Sequence, residues 1–113
     1  MKPFFLRRLR AVLTLGGLGL TALAVQADAE YELGRKLFLH KTQPACALCH
    51  TLKDAGAEGA VGPVLDELRP DAARVARAVR DGLGAMPPFK QQLSEAELKA
   101  LARYVSVASG GAR

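Results

Sequence analysis

The sequence has no tryptophan and no isoleucine, and only two cysteines among its 113 residues. Residues 28–113 hold just 22 large apolar side chains, drawn from leucine, valine, phenylalanine, tyrosine and methionine. So few β-branched residues argue against an all-β domain. A single small domain with this little apolar material usually needs a disulfide, a metal or a cofactor to hold it together.

Acidic residues are absent from the first 27 positions, which carry four basic residues: Lys2, Arg7, Arg8 and Arg10. Residues 28–113 carry 12 basic and 11 acidic residues, so most of the net charge of +5 belongs to the N-terminal segment. A nucleic-acid-binding domain carries its basic surface on the folded part. We therefore expect no nucleic-acid partner.

The N-terminal segment has the order of a secretory signal. Its basic start is followed by an uncharged, largely apolar run over residues 11–25 and by small residues around two possible cleavage points, Ala27 and Ala29. A run of 15 residues is shorter than the roughly 20 needed to span a bilayer. The pattern predicts a cleaved signal peptide, 1–27, and a periplasmic domain, 28–113, with no stable membrane insertion; the alternative is an uncleaved anchor.

The two cysteines lie in the sequence Cys46-Ala47-Leu48-Cys49-His50. Cys-x-x-Cys-His is the attachment signature of c-type haem. Each thiol adds to one vinyl group of the porphyrin, and residues three apart on a helical turn face the same side. The adjacent imidazole can then bind the iron. The motif predicts one covalently attached haem c, held by Cys46 and Cys49, with His50 as an iron ligand.

Three other interpretations of the motif remain open at this point. A thioredoxin-like redox pair needs a preceding strand and a surrounding βαβ unit. A structural zinc site needs four ligands, which Cys46, Cys49, His50 and His40 could supply. A disulfide between the two cysteines would be strained and would stabilise the domain little.

Met86 is the only methionine in residues 28–113, and it lies in a loop rich in glycine and proline, 82–88. Glycines let a backbone approach a cofactor closely, and Pro87 keeps the preceding residue out of helical geometry. We predict that Met86 is the second iron ligand. The alternatives are that Met86 fills a gap in the core, or that His40 is the sixth ligand.

Hydrophobic periodicity and capping residues predict an all-α domain. Helices are expected from about Ala29 to Leu39, at the cysteine motif, after Pro70 with Asp71 as the cap, and from Ser94 with a capping box, while 51–69 is mostly loop. The expected inner faces are Tyr31, Leu33, Gly34, Leu37 and Phe38; Ala72, Val75, Ala76 and Val79; and Leu98, Leu101, Ala102 and Val105.

The order of these elements resembles a class I monohaem cytochrome c. The residues that carry the resemblance are Gly34 and Phe38, Cys46 to His50, Gly62 and Pro63, Met86 and Pro87, and Leu101 and Tyr104. The resemblance implies a small cytochrome c fold wrapped around one haem. It also implies that Gly34 and Phe38 pack the first helix against the last near Tyr104, and that the Pro63 carbonyl accepts the His50 Nδ1 proton.

Ligation by both His50 and Met86 leaves the iron no open position, so we expect a one-electron carrier and not an enzyme. The alternative is a haem protein with a labile Met86 that acts in ligand sensing or catalysis. Residues 51–56 and the small size resemble cytochromes that accept electrons from periplasmic dehydrogenases. Among these donors a molybdenum sulfite dehydrogenase is favoured, and a terminal oxidase or another cytochrome is the expected acceptor.

Arg74, Arg77 and Arg80 recur every three residues along the predicted third helix. Such a row is most often a solvated face. The sharper hypothesis is that the row guides an acidic partner, and so affects the association rate more than the affinity.

Overall fold

The computed structural model describes residues 18–112, so the basic start of the predicted signal peptide and part of its apolar run lie outside the described residues. The elements are α1 (Leu18–His40), α2 (Cys46–Cys49), β1 (Thr51–Leu52), β2 (Ala57–Glu58), α3 (Leu65–Leu68), α4 (Ala72–Asp81) and α5 (Glu95–Ser109), with a 3₁₀ turn at Lys53–Ala55. Helices hold 62% of the described residues and strands 6%, which confirms the all-α prediction.

α1 crosses α5 at Gly34, where only glycine fits. A Cβ atom at this position would overlap the Ala100 carbonyl oxygen and the Cβ of Tyr104. One turn later, Phe38 is fully buried and packs edge-on against the Tyr104 ring, with 6.1 Å between the ring centroids. The expected packing of the first helix against the last is therefore confirmed.

Two details of α1 differ from the prediction. The helix already includes Leu18, well before the predicted start near Ala29, because the intervening segment contains no proline and consists mainly of alanine and leucine. Leu33 is 41% exposed and does not belong to the inner face; it lies about 100° from Gly34 around the helix axis, away from the contact with α5. Within residues 18–112, no helix is long and apolar enough to cross a membrane.

α4 begins where the sequence predicted. The Asp71 carboxylate accepts a hydrogen bond from the backbone amide of Arg74 at 2.8 Å, which satisfies one of the free amides of the first turn. Val75 and Val79 are buried against α5. Ala72 is exposed, which corrects its assignment to the inner face, because the first turn of α4 precedes the part that reaches the core.

α5 forms the centre of the core, and its predicted capping box is confirmed. The Ser94 hydroxyl accepts from the amide of Glu97 at 3.1 Å, and the Glu97 carboxylate accepts from the amide of Ser94 at 3.0 Å. The Arg69 guanidinium donates to the Gly110 carbonyl at the other end, at 2.9 Å and 3.2 Å. The four predicted core residues of α5 are all buried: Leu98, Leu101, Ala102 and Val105.

A pair of tyrosines ties α5 to the segment that follows the cysteine motif. The Tyr104 hydroxyl donates to the Asp54 carboxylate at 2.8 Å, and the Tyr31 and Tyr104 rings meet edge-on at 4.9 Å. Burial, and then the contact with Asp54, raise the pKa of Tyr104. Because Asp54 lies in the 3₁₀ turn, this hydrogen bond fixes the strand pair after the motif against the last helix.

Candidate cofactor site

The cysteine motif forms a single helical turn. Ala45 before it and His50 after it are both extended, and the His50 amide donates to the Cys46 carbonyl at 3.0 Å. Cys46 and Cys49 are both free thiols and half-buried, and their spacing of three residues puts them on one side of the turn. Burial raises the pKa of the Cys46 thiol, while a contact with the Thr42 hydroxyl at 3.7 Å acts in the opposite direction.

The His50 imidazole is oriented by the Pro63 carbonyl, as the resemblance implies. The distance from His50 Nδ1 to the Pro63 oxygen is 2.8 Å. A carbonyl oxygen can only accept a hydrogen bond, so the proton resides on Nδ1 and Nε2 keeps its lone pair. This bond fixes both the ring orientation and the tautomer that a metal needs.

Two glycines bring the following loop against the motif. A Cβ atom at Gly59 would lie 2.6 Å from the backbone of Cys49, and one at Gly62 would lie 2.5 Å from Cε1 of His50. The Cys49 carbonyl accepts from the amide of Gly62 at 2.7 Å, and a second amide, that of Val61, donates to the same oxygen at 3.1 Å. The close approach of this loop is what places the Pro63 carbonyl beside the imidazole.

Met86 lies in a tight loop whose shape is set by its own backbone. The amides and carbonyls of Leu83 and Met86 exchange two hydrogen bonds, both of 3.0 Å, around a turn at Gly84. Gly84 has a φ of +58°, and Gly82 has a φ of +76°; a side chain would be strained at either position. The Phe89 amide then donates to a carbonyl of α4 at 2.7 Å, which fixes the loop to that helix.

The motif and the methionine loop line one cavity of about 630 Å³. That volume lies within the range of about 300–1,000 Å³ typical of cofactor sites. Cys46, Cys49, His50, Pro63 and Met86 all contribute to its lining, which is otherwise mostly apolar. His40 is exposed at the end of α1 and does not line the cavity.

This cavity fits a haem by its own chemistry. It presents two thiols on one helical turn, an imidazole with a free Nε2, a thioether from a separate segment and an apolar surround. The geometry argues against two of the other interpretations of the motif. Within residues 18–112 no three candidate ligands are grouped to hold a metal ion, so the proposed zinc set is not assembled. No strand precedes α2 in the same range, as a thioredoxin-like pair would require.

Comparisons with known proteins agree with this geometry. Residues 29–105 match the family described as cytochrome c oxidase, cbb3-type, subunit III. The crystal structure of the c-type cytochrome SorU from Sinorhizobium meliloti matches with a TM-score of 0.71 and 51% sequence identity, over 76% of this chain and 98% of that chain. This chain belongs to the cytochrome c family. The search of curated proteins found no match.

The cytochrome carries haem c, and Cys46 and Cys49 fit the attachment motif. Its family and its similarity to SorU identify it as an electron carrier and not an enzyme. The carrier prediction is therefore confirmed, while the assignment of His50 and Met86 as iron ligands stays a prediction.

Sequence reasoning missed several contacts that shape the site. The sequence does not predict the contact of Gly62 with the imidazole, although Gly62 and Pro63 are among the residues that carry the family resemblance. The side-chain amide of Gln92 makes two hydrogen bonds to the backbone of Gln43, just before the cysteine motif, and no local pattern signals them. The three arginines of α4 also have different surroundings: Arg80 pairs with a carboxylate of α5, whereas Arg74 and Arg77 line the cavity.

Proposed function

We propose that this cytochrome is a periplasmic one-electron carrier whose haem iron is held by His50 and Met86 and which receives electrons from a sulfite dehydrogenase. The observation that carries the proposal is the meeting of an oriented imidazole and a thioether in the lining of one apolar cavity. When bound, the haem supplies the Fe(III)/Fe(II) couple.

The two ligands would give the site its selectivity for electron transfer. With both His50 and Met86 holding the iron, no position would be left for dioxygen or a substrate. The Met86 thioether favours the reduced state and so raises the potential. The Pro63 carbonyl acts through His50, because it keeps the imidazole in one tautomer and one orientation. The apolar lining excludes water, which disfavours the more highly charged oxidised state.

Export is supported by the start of the folded domain. The family match begins at residue 29, two residues beyond the predicted cleavage point at Ala27. None of the residues from Gly19 to Gln26 is buried, and three of their apolar side chains, Leu20, Leu23 and Val25, are largely exposed. Removal of residues 1–27 would therefore take no side chain of residues 19–26 out of the core.

The surface around the cavity suits transient contacts with redox partners. Apolar side chains at the cavity mouth are exposed, with Val61 at 80% and Leu83 at 70%. Such a surface suits brief contacts with a donor and an acceptor, which are usually small interfaces.

The choice of donor rests on the resemblance of residues 51–56 to cytochromes that serve periplasmic dehydrogenases. Oxidation of sulfite to sulfate consumes water and releases two protons and two electrons. A one-electron carrier would therefore be reduced in a ratio of two molecules for each sulfite oxidised. The reduced carrier would then pass its electron to a terminal oxidase or another cytochrome.

The experiment combines the oxidised holoprotein with a catalytic amount of a molybdenum sulfite dehydrogenase and a limiting amount of sulfite. We expect complete haem reduction with two cytochromes reduced per sulfite, and no reduction when the dehydrogenase is left out. If dithionite reduces the cytochrome fully but sulfite and the dehydrogenase do not, the proposed donor is wrong.

A further inference from the structure

The cavity has very few groups that can bind an anion. A haem brings two propionate carboxylates, and each needs hydrogen-bond donors or a cation when it is held against protein. Apart from the two thiols and His50, the donors among the lining side chains of the described residues are two arginines, Arg74 and Arg77. The remaining lining side chains are apolar, except for the carboxylate of Asp81.

The aromatic donors of the domain are committed elsewhere. The chain has no tryptophan. The Tyr104 hydroxyl donates to Asp54, the Tyr31 ring packs against Tyr104, and neither tyrosine lines the cavity. The propionates therefore have no neutral aromatic partner within residues 18–112.

Arg74 and Arg77 are the arginines of α4 that have no partner of their own. Within residues 18–112 neither guanidinium makes an ion pair or a hydrogen bond, whereas Arg80 on the same helix pairs with Glu95 at 3.2 Å. Two like charges three residues apart on a helix repel each other. Anions bound by the two guanidinium groups at the cavity would offset this repulsion.

We propose that the guanidinium groups of Arg74 and Arg77 bind the propionate carboxylates of the haem. Arginine suits this role because its planar fork of donors matches a carboxylate with two parallel hydrogen bonds. Asp81, four residues after Arg77, adds a negative charge to the same lining and increases the need for a cation there. The proposal rests on haem c in this cavity and is independent of the electron donor.

The test is the midpoint potential of the isolated holoprotein measured from acid to alkaline pH. Protonation of a propionate removes a negative charge near the iron and raises the potential, so the potential falls as the pH rises through the propionate pKa. A neighbouring guanidinium stabilises the ionised propionate and lowers that pKa. In the wild type we expect the midpoint potential to fall at acid pH. In R74Q/R77Q the pH at which it falls should be higher by about one pKa unit, which is the low end of the range for a carboxylate that loses an opposite charge.

Two further variants separate this role from a general effect of charge. R80Q removes a cation from the same helix but outside the cavity, and its profile should coincide with that of the wild type. R74K/R77K keeps both charges without the planar fork, and its profile should lie between those of the wild type and R74Q/R77Q. If the double variant is recovered without haem, R74Q and R77Q singly should each move the fall upward.

Covalent attachment is read from the absorption spectrum of each variant, so a failure of the haem site is distinguished from a failure of this proposal. A holoprotein of R74Q/R77Q whose pH profile matches that of the wild type would overturn the proposal. So would an equal displacement in R80Q, because that result would indicate only the loss of net charge.

Discussion

The side chain of Gln92 forms two hydrogen bonds with the backbone of Gln43. Its Oε1 accepts from the Gln43 amide at 2.8 Å, and its Nε2 donates to the Gln43 carbonyl at 3.1 Å. Gln92 follows the methionine loop, and Gln43 precedes the cysteine motif. One amide therefore connects the two segments that flank the haem site.

Replacement of Gln92 by alanine should loosen this connection. Exposed hydrogen bonds contribute modestly, so we expect the free energy of unfolding to fall by about 1 kcal/mol. The measurement is denaturant unfolding of the holoprotein. Gln91→Ala is the matched control, because Gln91 is an exposed neighbour that makes neither of these bonds. Equal stability losses in the two variants would show that the connection between the segments contributes nothing of its own.

Gly62→Ala should displace the His50 imidazole while leaving His50 itself unchanged. The new Cβ would lie 2.5 Å from Cε1 and 2.8 Å from Nδ1 of His50, so the ring must move away from the Pro63 carbonyl. We expect a loss of about 1–3 kcal/mol in unfolding free energy, as is usual for overpacking, together with a changed midpoint potential. Val61→Ala, at an exposed neighbouring position, serves as the control. An unchanged potential in the Gly62 variant would contradict the packing of this loop on the imidazole.

Tyr104→Phe removes the hydroxyl that binds Asp54 and should cost about 1.5–3 kcal/mol near neutral pH, as for a hydrogen bond to a charged group. The substitution should also change how the free energy of unfolding depends on pH in the alkaline range. The pKa of Tyr104 is raised in the folded state above its ordinary value of 10.0, because burial and Asp54 disfavour the phenolate. Its contribution to stability is therefore present below pH 10.0 and is lost as the pH rises further.

Unfolding curves of the wild type and Tyr104→Phe between neutral and alkaline pH test this linkage. The stability difference between the two proteins should shrink above pH 10.0, because only the wild type has this phenol to ionise on unfolding. A constant difference across that range would mean that Tyr104 ionises equally well in both states.

The chemistry of the site was visible in the sequence because it depends on rare residues at fixed spacing. Two cysteines three apart, an adjacent histidine and a methionine in a proline-rich loop identify haem c with little help from the fold. The capping roles of Asp71 and Ser94 could also be predicted from the sequence, because a cap acts within one helical turn.

Contacts between distant segments could not be read in the same way. Gln92 meets Gln43 across 49 positions, and Gly62 meets the His50 ring only because the intervening loop folds back on the motif. Periodicity also failed at two positions: Leu33 points to the side of the contact between α1 and α5, and Ala72 lies in the first turn of α4, before the part that reaches the core. Local patterns specify which residues could pack, whereas tertiary structure decides which ones do.

The central claim is that Met86 is the sixth ligand of a closed haem. Carbon monoxide added to the reduced holoprotein should leave the wild-type spectrum almost unchanged, because His50 and Met86 would leave the iron no open position. Met86→Ala keeps Cys46, Cys49 and His50, so the haem should stay attached while its sixth position opens to carbon monoxide and its midpoint potential falls. The weak near-infrared band from sulfur to iron should be present in the oxidised wild type and absent from the variant. If Met86→Ala keeps the spectrum, the potential and the resistance to carbon monoxide of the wild type, Met86 is not a ligand, and the proposed His50 and Met86 ligation is wrong.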